Sequence, residues 1–336
     1  MPNIARNKFV IVGGASLLGS HIAEQLLDGG ASEVVLFDNL SLGSTEHLDS
    51  MLADQRCSFV RGDMIRLNEL MDPFEGASGV FAVAGFLGAP MTANPWMGLD
   101  VNVRGVQNVY EAARVRGVKK VIFSSSVGVY GATGNDPASD ETPLRWQTLS
   151  PGVILYCTSK IMGEALGRAY KEKYGLDFLA LRYSSLYGER QHKRALDATR
   201  LVQAYEQVRA GERPVIEGDG SLGLDYIYVG DVARANLMAM ESSASGEGFN
   251  ISSGTNTSLS RMIELIIEEC GANLEPEYRD AAAGANQVSA REGFARDRAR
   301  ELIGWEPQVS IEQGVARLVR WFDQSHADAD KQAQAA

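Results

Sequence analysis

Tyr156 and Lys160 stand four residues apart in Tyr156-Cys157-Thr158-Ser159-Lys160, a spacing that brings a phenol and an ammonium onto one face of a helix start. An ammonium close to a phenol favours the phenolate, lowering its pKa from about 10 toward the working range of a general acid–base. The same pair is common on helix surfaces, so it means chemistry only in company. Ser124-Ser125-Ser126-Val127-Gly128-Val129-Tyr130-Gly131 supplies it, following the apolar run Val121-Ile122-Phe123. The C-terminal edge of a parallel sheet is where ligands bind, and a hydroxyl there can orient a substrate oxygen.

A second group of residues suits a phosphate-bearing ligand. Val10-Ile11-Val12 runs into Gly13-Gly14-Ala15-Ser16-Leu17-Leu18-Gly19 and then a helical pattern, so a glycine-rich turn joins a buried strand to a helix N-terminus. Unpaired N–H groups and the positive end of the helix dipole face an anion there, and glycine lets the backbone approach closely. Such a turn is also an ordinary loop; its context decides. Asp38 ends the next strand, 19 residues after Gly19, near the spacing of an acid that binds adenosine ribose hydroxyls. Its charge repels a 2′-phosphate, and Asn39-Leu40-Ser41-Leu42 carry no arginine to offset it. NAD is therefore expected in preference to NADP. Asp63, in Gly62-Asp63-Met64 after the following strand, is expected near the adenine.

These residues need a sheet to position them. Short β-branched runs over 9–12, 33–37, 58–60, 80–84, 118–124 and 177–181 alternate with helical patterns over 20–27, 44–53, 101–116 and 158–174, the rhythm of βαβ units. Near-continuously apolar strands suit a parallel sheet covered on both faces. The expected fold class is α/β, a doubly wound parallel-sheet Rossmann domain with a smaller, interleaved C-terminal substrate lobe. Residues 1–185 form the NAD-binding domain, with 226–248 returning to it, and 186–225 and 249–326 form the lobe. Residues 327–336 lack large apolar groups and are expected to fray.

The bulk numbers exclude several function classes. A net charge of −11 and a pI near 5.0 give no general field for nucleic acid or an anionic membrane. No apolar run approaches the roughly 20 residues of a membrane span, and the N-terminus has no signal-peptide core, so a cytoplasmic location is expected. Cys57, Cys157 and Cys270 share no close spacing, and His21, His47, His192 and His326 are scattered; no metal site is expected.

The ordered set of segments 12–19, 37–40, 62–63, 101–105, 123–131, 156–160, 181–183, 186–188, 218–220, 226–232 and 304–307 resembles the NAD-dependent epimerase/dehydratase family of extended short-chain dehydrogenases/reductases, in particular its UDP-sugar 4-epimerases. The resemblance spans nearly the whole chain. It implies that Ser126 and Tyr156 hold the reacting hydroxyl or carbonyl, while Lys160 binds the nicotinamide ribose and tunes Tyr156. Asn102 would lie on the cofactor side, and Tyr183 and Ser184 would flank the nicotinamide. Asn39, Met64, Ala84 and Ser124 join the expected cofactor surface. The resemblance also implies a homodimer paired through the helices at 101–116 and 158–174.

Departures from the family pattern bear on the substrate. Ser16 replaces a glycine, which narrows the approach to the pyrophosphate. Val127 and Gly128 stand where dehydratases carry an acidic pair, and neither side chain moves a proton, so 4,6-dehydration is not expected. Ser185 replaces an asparagine and Leu224 a diphosphate-binding arginine of sugar-nucleotide members. Arg291 resembles a second such arginine, and Arg190, His192, Lys193 and Arg194 offer replacement charge or a solvated face. Phe86-Leu87-Gly88-Ala89-Pro90 and Ser150-Pro151-Gly152-Val153-Ile154-Leu155 are apolar near the expected substrate mouth, with Leu87 a candidate contact. Three readings stay open: a sugar-nucleotide epimerase, an NAD-dependent dehydrogenase or reductase of a smaller or more apolar hydroxy or keto compound, and a catalytically silent NAD-binding sensor.

Overall fold

The computed structural model describes residues 2–133, 138–191, 196–280 and 293–335. The first half winds as β1 (Lys8–Val12), α1 (Leu17–Asp28), β2 (Glu33–Asp38), α2 (Asp49–Leu52), β3 (Cys57–Arg61), α3 (Leu67–Met71), β4 (Gly79–Ala82), α4 (Gly88–Ala93), α5 (Pro95–Leu99) and α6 (Val106–Val115). Then follow β5 (Lys120–Ser126), α7 (Pro151–Tyr174), β6 (Asp177–Tyr183), β7 (Ser185–Tyr187), α8 (Leu196–Arg209), β8 (Val215–Glu217) and β9 (Gly223–Tyr228). The chain closes with α9 (Val229–Glu241), β10 (Glu247–Ile251), β11 (Asn256–Ser258), α10 (Leu259–Glu269), β12 (Glu277–Arg279), α11 (Asp297–Ile303) and α12 (Ile311–Ala335).

Seven parallel strands form the main sheet in the order β10-β6-β5-β4-β1-β2-β3. The alternation of side chains along a strand sorts β1 onto two cores: Phe9 and Ile11 join Ile22 and Leu26 of α1 and Val232 of α9, while Val10 and Val12 join Val109 and Tyr110 of α6. A sheet buried on both faces explains why its strands read as continuous apolar runs. The order reverses between β1 and β4, and ligands of such sheets bind at that switch point, outside the strands' C-terminal ends. A smaller sheet, β11-β9-β7, and the pair β12-β8 lie beyond it.

Several boundaries differ from expectation, each for a local reason. The helix expected over 44–53 shrinks to Asp49–Leu52 because the preceding chain folds against the glycine turn, with Ser44 N donating to Ala15 O at 3.2 Å. The helix carrying Tyr156 begins at Pro151, not 158: proline at the first helical position needs no N–H partner. The apolar stretch 150–155 is therefore its cap and first turns, seated on α4, where a Cβ on Gly152 would collide with Thr92. Phe249 to Ile251, expected in the lobe, pair with β6 in the main sheet. α12 is continuous to Ala335, across the stretch expected to fray; its alanine, glutamine and lysine are good helix formers and need no burial for that.

Candidate active site

The glycine turn between β1 and α1 is built for close approach. Gly13 has φ of 92°, and a Cβ there would lie 2.6 Å from Ala84 N. Ser16 sits in extended backbone, with φ of −90° and ψ of 168°, so glycine is not required. Its hydroxyl turns back into the turn, donating to Gly13 O at 2.6 Å and accepting from Gly19 N at 3.1 Å. The residue expected to narrow the turn thus caps α1. No acid occupies the first turn of α1, leaving its positive end for an anion.

Asp38 reaches the turn from the end of β2. Its Oδ2 accepts from Ala15 N at 3.1 Å and its Oδ1 from Leu40 N at 2.8 Å, the latter made possible by a left-handed Leu40 with φ of 63°. Asp63, at the end of β3, accepts from Asn39 Nδ2 at 3.3 Å. Gly13, Ser16, Leu17, Leu18, Asp38, Asn39, Asp63 and Met64 all line one cleft of about 580 Å³. Ala15 and Gly19 belong to the same turn but do not line the cleft; their N–H groups donate to Asp38 and Ser16. The cradle fits the pyrophosphate and adenosine of NAD. Binding titrations are expected to show NADH held at least about tenfold tighter than NADPH, a gap of roughly 1.4 kcal/mol. Asp38→Ala should close most of that gap by removing the repulsion of a 2′-phosphate.

The opposite wall of the cleft carries the candidate acid–base groups. The end of β5 presents Ser124 and Ser126, and α7 presents Tyr156 and Lys160. The Ser126 hydroxyl lies beside that of Tyr156 and favours its phenolate, and Ser126 Oγ accepts from Gly128 N at 3.0 Å. Lys160 Nζ donates to Ser124 O at 2.9 Å and lies 5.8 Å from the centre of the Tyr156 ring. Burial lowers Lys160 to about 8. Burial also raises Tyr156, with the Ser126 hydrogen bond opposing. The expected lowering of the phenol is thus absent from the chain alone: desolvation of the phenolate outweighs its polar neighbours.

A base with a depressed pKa keeps its charge only below that value. Any step that needs the Lys160 ammonium should weaken as the pH rises through about 8. A pH–rate profile is expected to show this alkaline limb, and Lys160→Met should abolish it along with most of the turnover.

Around these groups, Ala84 and Tyr183 line the cleft, and Tyr183 is locked by donating to Asn236 Oδ1 at 2.9 Å. Asn102 does not line it. Its amide is consumed by a two-way bond with the Phe86 backbone, at 2.7 and 3.0 Å, and by Ser159 Oγ at 3.1 Å. Asn102 lies in the widened π-helical segment Asp100–Gly105 between α5 and α6, a feature frequent at functional sites. It therefore anchors the wall that continues into Leu87.

The candidate substrate residues divide. Leu87 and Ser185 line the cleft. Leu224 does not: it sits in β9, paired with Thr257 and packed on the core. Of the two apolar stretches, 86–90 lines the cleft and 150–155 does not. Arg190 pairs with Glu24 at 2.8 Å and is not among the residues lining the cleft. Arg291, His192, Lys193 and Arg194 lie outside the described residues. Among the described lining residues, Lys160 is the one cation. Sequence reasoning missed Gln191, which is buried, lines the cleft and has Oε1 without a hydrogen-bond partner. Its signal was its place after Tyr187-Gly188, in a segment weighed only for charge.

The family model described as NAD-dependent epimerase/dehydratase matches residues 9–252. A UDP-glucose 4-epimerase of Mycolicibacterium smegmatis is 32% identical over 93% of this chain and 97% of its own length. A solved UDP-glucose 4-epimerase of Thermotoga maritima, with UDP-glucose, is 31% identical and superposes with a TM-score of 0.83, covering 95% of this chain and 99% of that one. A Thermus thermophilus UDP-glucose 4-epimerase in complex with NAD is 27% identical with a TM-score of 0.80, covering 94% and 99%.

Proposed function

Because the chain belongs to the NAD-dependent epimerase/dehydratase family, we propose that it is a nucleotide-sugar epimerase in which Tyr156, assisted by Ser126, exchanges a proton with a sugar hydroxyl. The observation that carries this reading is one cleft holding the glycine turn and Asp38 on one wall and Ser126, Tyr156 and Lys160 on the other. Bound NAD supplies a hydride acceptor that becomes the donor, and a positive charge that favours the phenolate.

Each side chain has a part that its position supports. Tyr156 takes the hydroxyl proton as the sugar is oxidised and returns it as the ketone is reduced on its other face. Ser126 orients the same oxygen. Lys160 holds the nicotinamide ribose, and Tyr183 walls the nicotinamide side. Gln191 and Ser185 offer hydrogen bonds to the sugar, the first through its unpartnered Oε1. Dehydration is disfavoured because Val127 is buried in a small apolar cluster and a Cβ on Gly128 would come within 3.2 Å of the Tyr156 ring.

The protein works as a cytoplasmic homodimer in this reading. Among the described residues no helix is long and apolar enough to cross a membrane. The pairing helices in this reading are α6 and α7, on which Val115, Met162 and Tyr174 are each about half exposed.

One observation favours a second reading, a dehydrogenase of a smaller or more apolar compound: Phe86, Leu87, Ala89 and Pro90 make the substrate wall apolar. Turnover separates the two. Incubated with NAD⁺ and a panel of UDP-sugars and non-nucleotide alcohols, the protein should convert a UDP-sugar to its epimer with no net NADH. NADH formed stoichiometrically from an alcohol, with no epimer from any UDP-sugar, would overturn the epimerase reading.

A further inference from the structure

Tyr156, Lys160 and Glu164 recur at four-residue intervals along one face of α7, and each meets one of the last three residues of β5. Tyr156 stands beside the Ser126 hydroxyl, Lys160 donates to Ser124 O, and Ser125 Oγ donates to Glu164 Oε1 at 2.7 Å. The third contact has no part in the chemistry, yet it is the most heavily braced. Arg182 grips Glu164 with two bonds, Nε to Oε1 at 2.9 Å and Nη2 to Oε2 at 2.7 Å. Glu164 is 4% and Arg182 8% exposed. Arg182 is the register neighbour of Ser125 on β6, and its Nη1 donates to Tyr130 OH at 2.9 Å, which donates to Asn250 Oδ1 at 2.6 Å.

We propose that the buried Glu164–Arg182 pair is a positioning device that fixes the register of α7 against β5, and so sets where Lys160 and Tyr156 stand. A buried ion pair is a poor source of stability, since desolvating both charges offsets most of their attraction. Its planar, two-bond geometry is strict about distance and angle. An apolar contact would tolerate α7 sliding or turning by a fraction of a turn; this one does not. Because Glu164 sits one turn beyond Lys160, any slip at Glu164 moves Lys160 off the Ser124 carbonyl.

The inference rests on the roles given above to Tyr156 and Lys160, and the test separates it from them. Glu164→Gln leaves Arg182 buried without its counter-charge and is expected to lose stability. The double variant Glu164→Leu/Arg182→Met replaces the pair by apolar volume and should recover it. In that folded double variant, NADH affinity by fluorescence titration should fall about tenfold, and kcat on UDP-glucose roughly ten- to a hundredfold with KM little changed, the scale of an ångström's misplacement. A double variant as stable as the parent with unchanged NADH affinity overturns the inference. Failure of the parent itself to epimerise UDP-glucose counts against the proposed function, and the NADH titration still decides this point.

Discussion

Tyr156→Phe is expected to reduce kcat by roughly a hundred- to ten-thousandfold, the contribution of a positioned acid–base group, with little change in KM or NADH affinity. The substitution removes one oxygen from a half-buried ring at the cleft wall. The ring stays packed beside Gly128, so the fold has no reason to respond. Ser126 keeps its bond from Gly128 N and can still orient a substrate oxygen, which is why KM should hold. No described neighbour can take over the proton: Lys160 faces the Ser124 carbonyl, and the Tyr183 hydroxyl is spent on Asn236. Steady-state kinetics with a parallel NADH titration checks both halves. Loss of NADH binding together with turnover would mean that Tyr156 is structural.

Trp305→Ala is expected to lower stability by about 3–5 kcal/mol, the cost of removing a large buried aromatic ring. Trp305 is fully buried, and its Nε1 donates to Asp231 O at 2.9 Å. Asp231 in turn accepts from Gln308 N and Val309 N, both at 2.9 Å. The ring and the carboxylate thereby fasten the segment between α11 and α12 onto the start of α9, which packs against the cofactor helix α1. Trp305→Phe keeps most of the volume and loses one hydrogen bond to a carbonyl that α9 already uses within the helix, a cost of about 0.5–1.5 kcal/mol. Denaturant unfolding followed by circular dichroism should rank the parent above the phenylalanine variant and that above the alanine variant. Equal midpoints for all three would refute the fastening role.

The parts of the site legible in the sequence are those set by local rules. Gly13 and Asp38 follow from a strand, a turn and a strand end, and Tyr156 with Lys160 from helical spacing. Elements whose form depends on distant partners were not legible. The helical pattern is legible only over 158–174; its start at Pro151 rests on packing against α4. Residues 44–48 carry a helical pattern, yet the backbone of the glycine turn draws them into a loop. Asn102 reads as a cofactor contact, and Glu164 as an ordinary helix residue. Their functions are bonds to Phe86, 16 residues away, and to Arg182, 18 residues away, which no spacing rule encodes. Leu224 shows the converse: a position carried over from a family pattern sits on β9, paired with Thr257 and packed against the core, away from the cleft lining.

In the proposed reaction hydride leaves the sugar and returns to the same carbon. UDP-glucose carrying deuterium at carbon 4, incubated with the protein and NAD⁺ in ordinary water, tests this most directly. UDP-galactose that retains the deuterium at carbon 4, with no free NADH, is expected. Product that has exchanged its label with solvent, or oxidised sugar accumulating with released NADH, would contradict it.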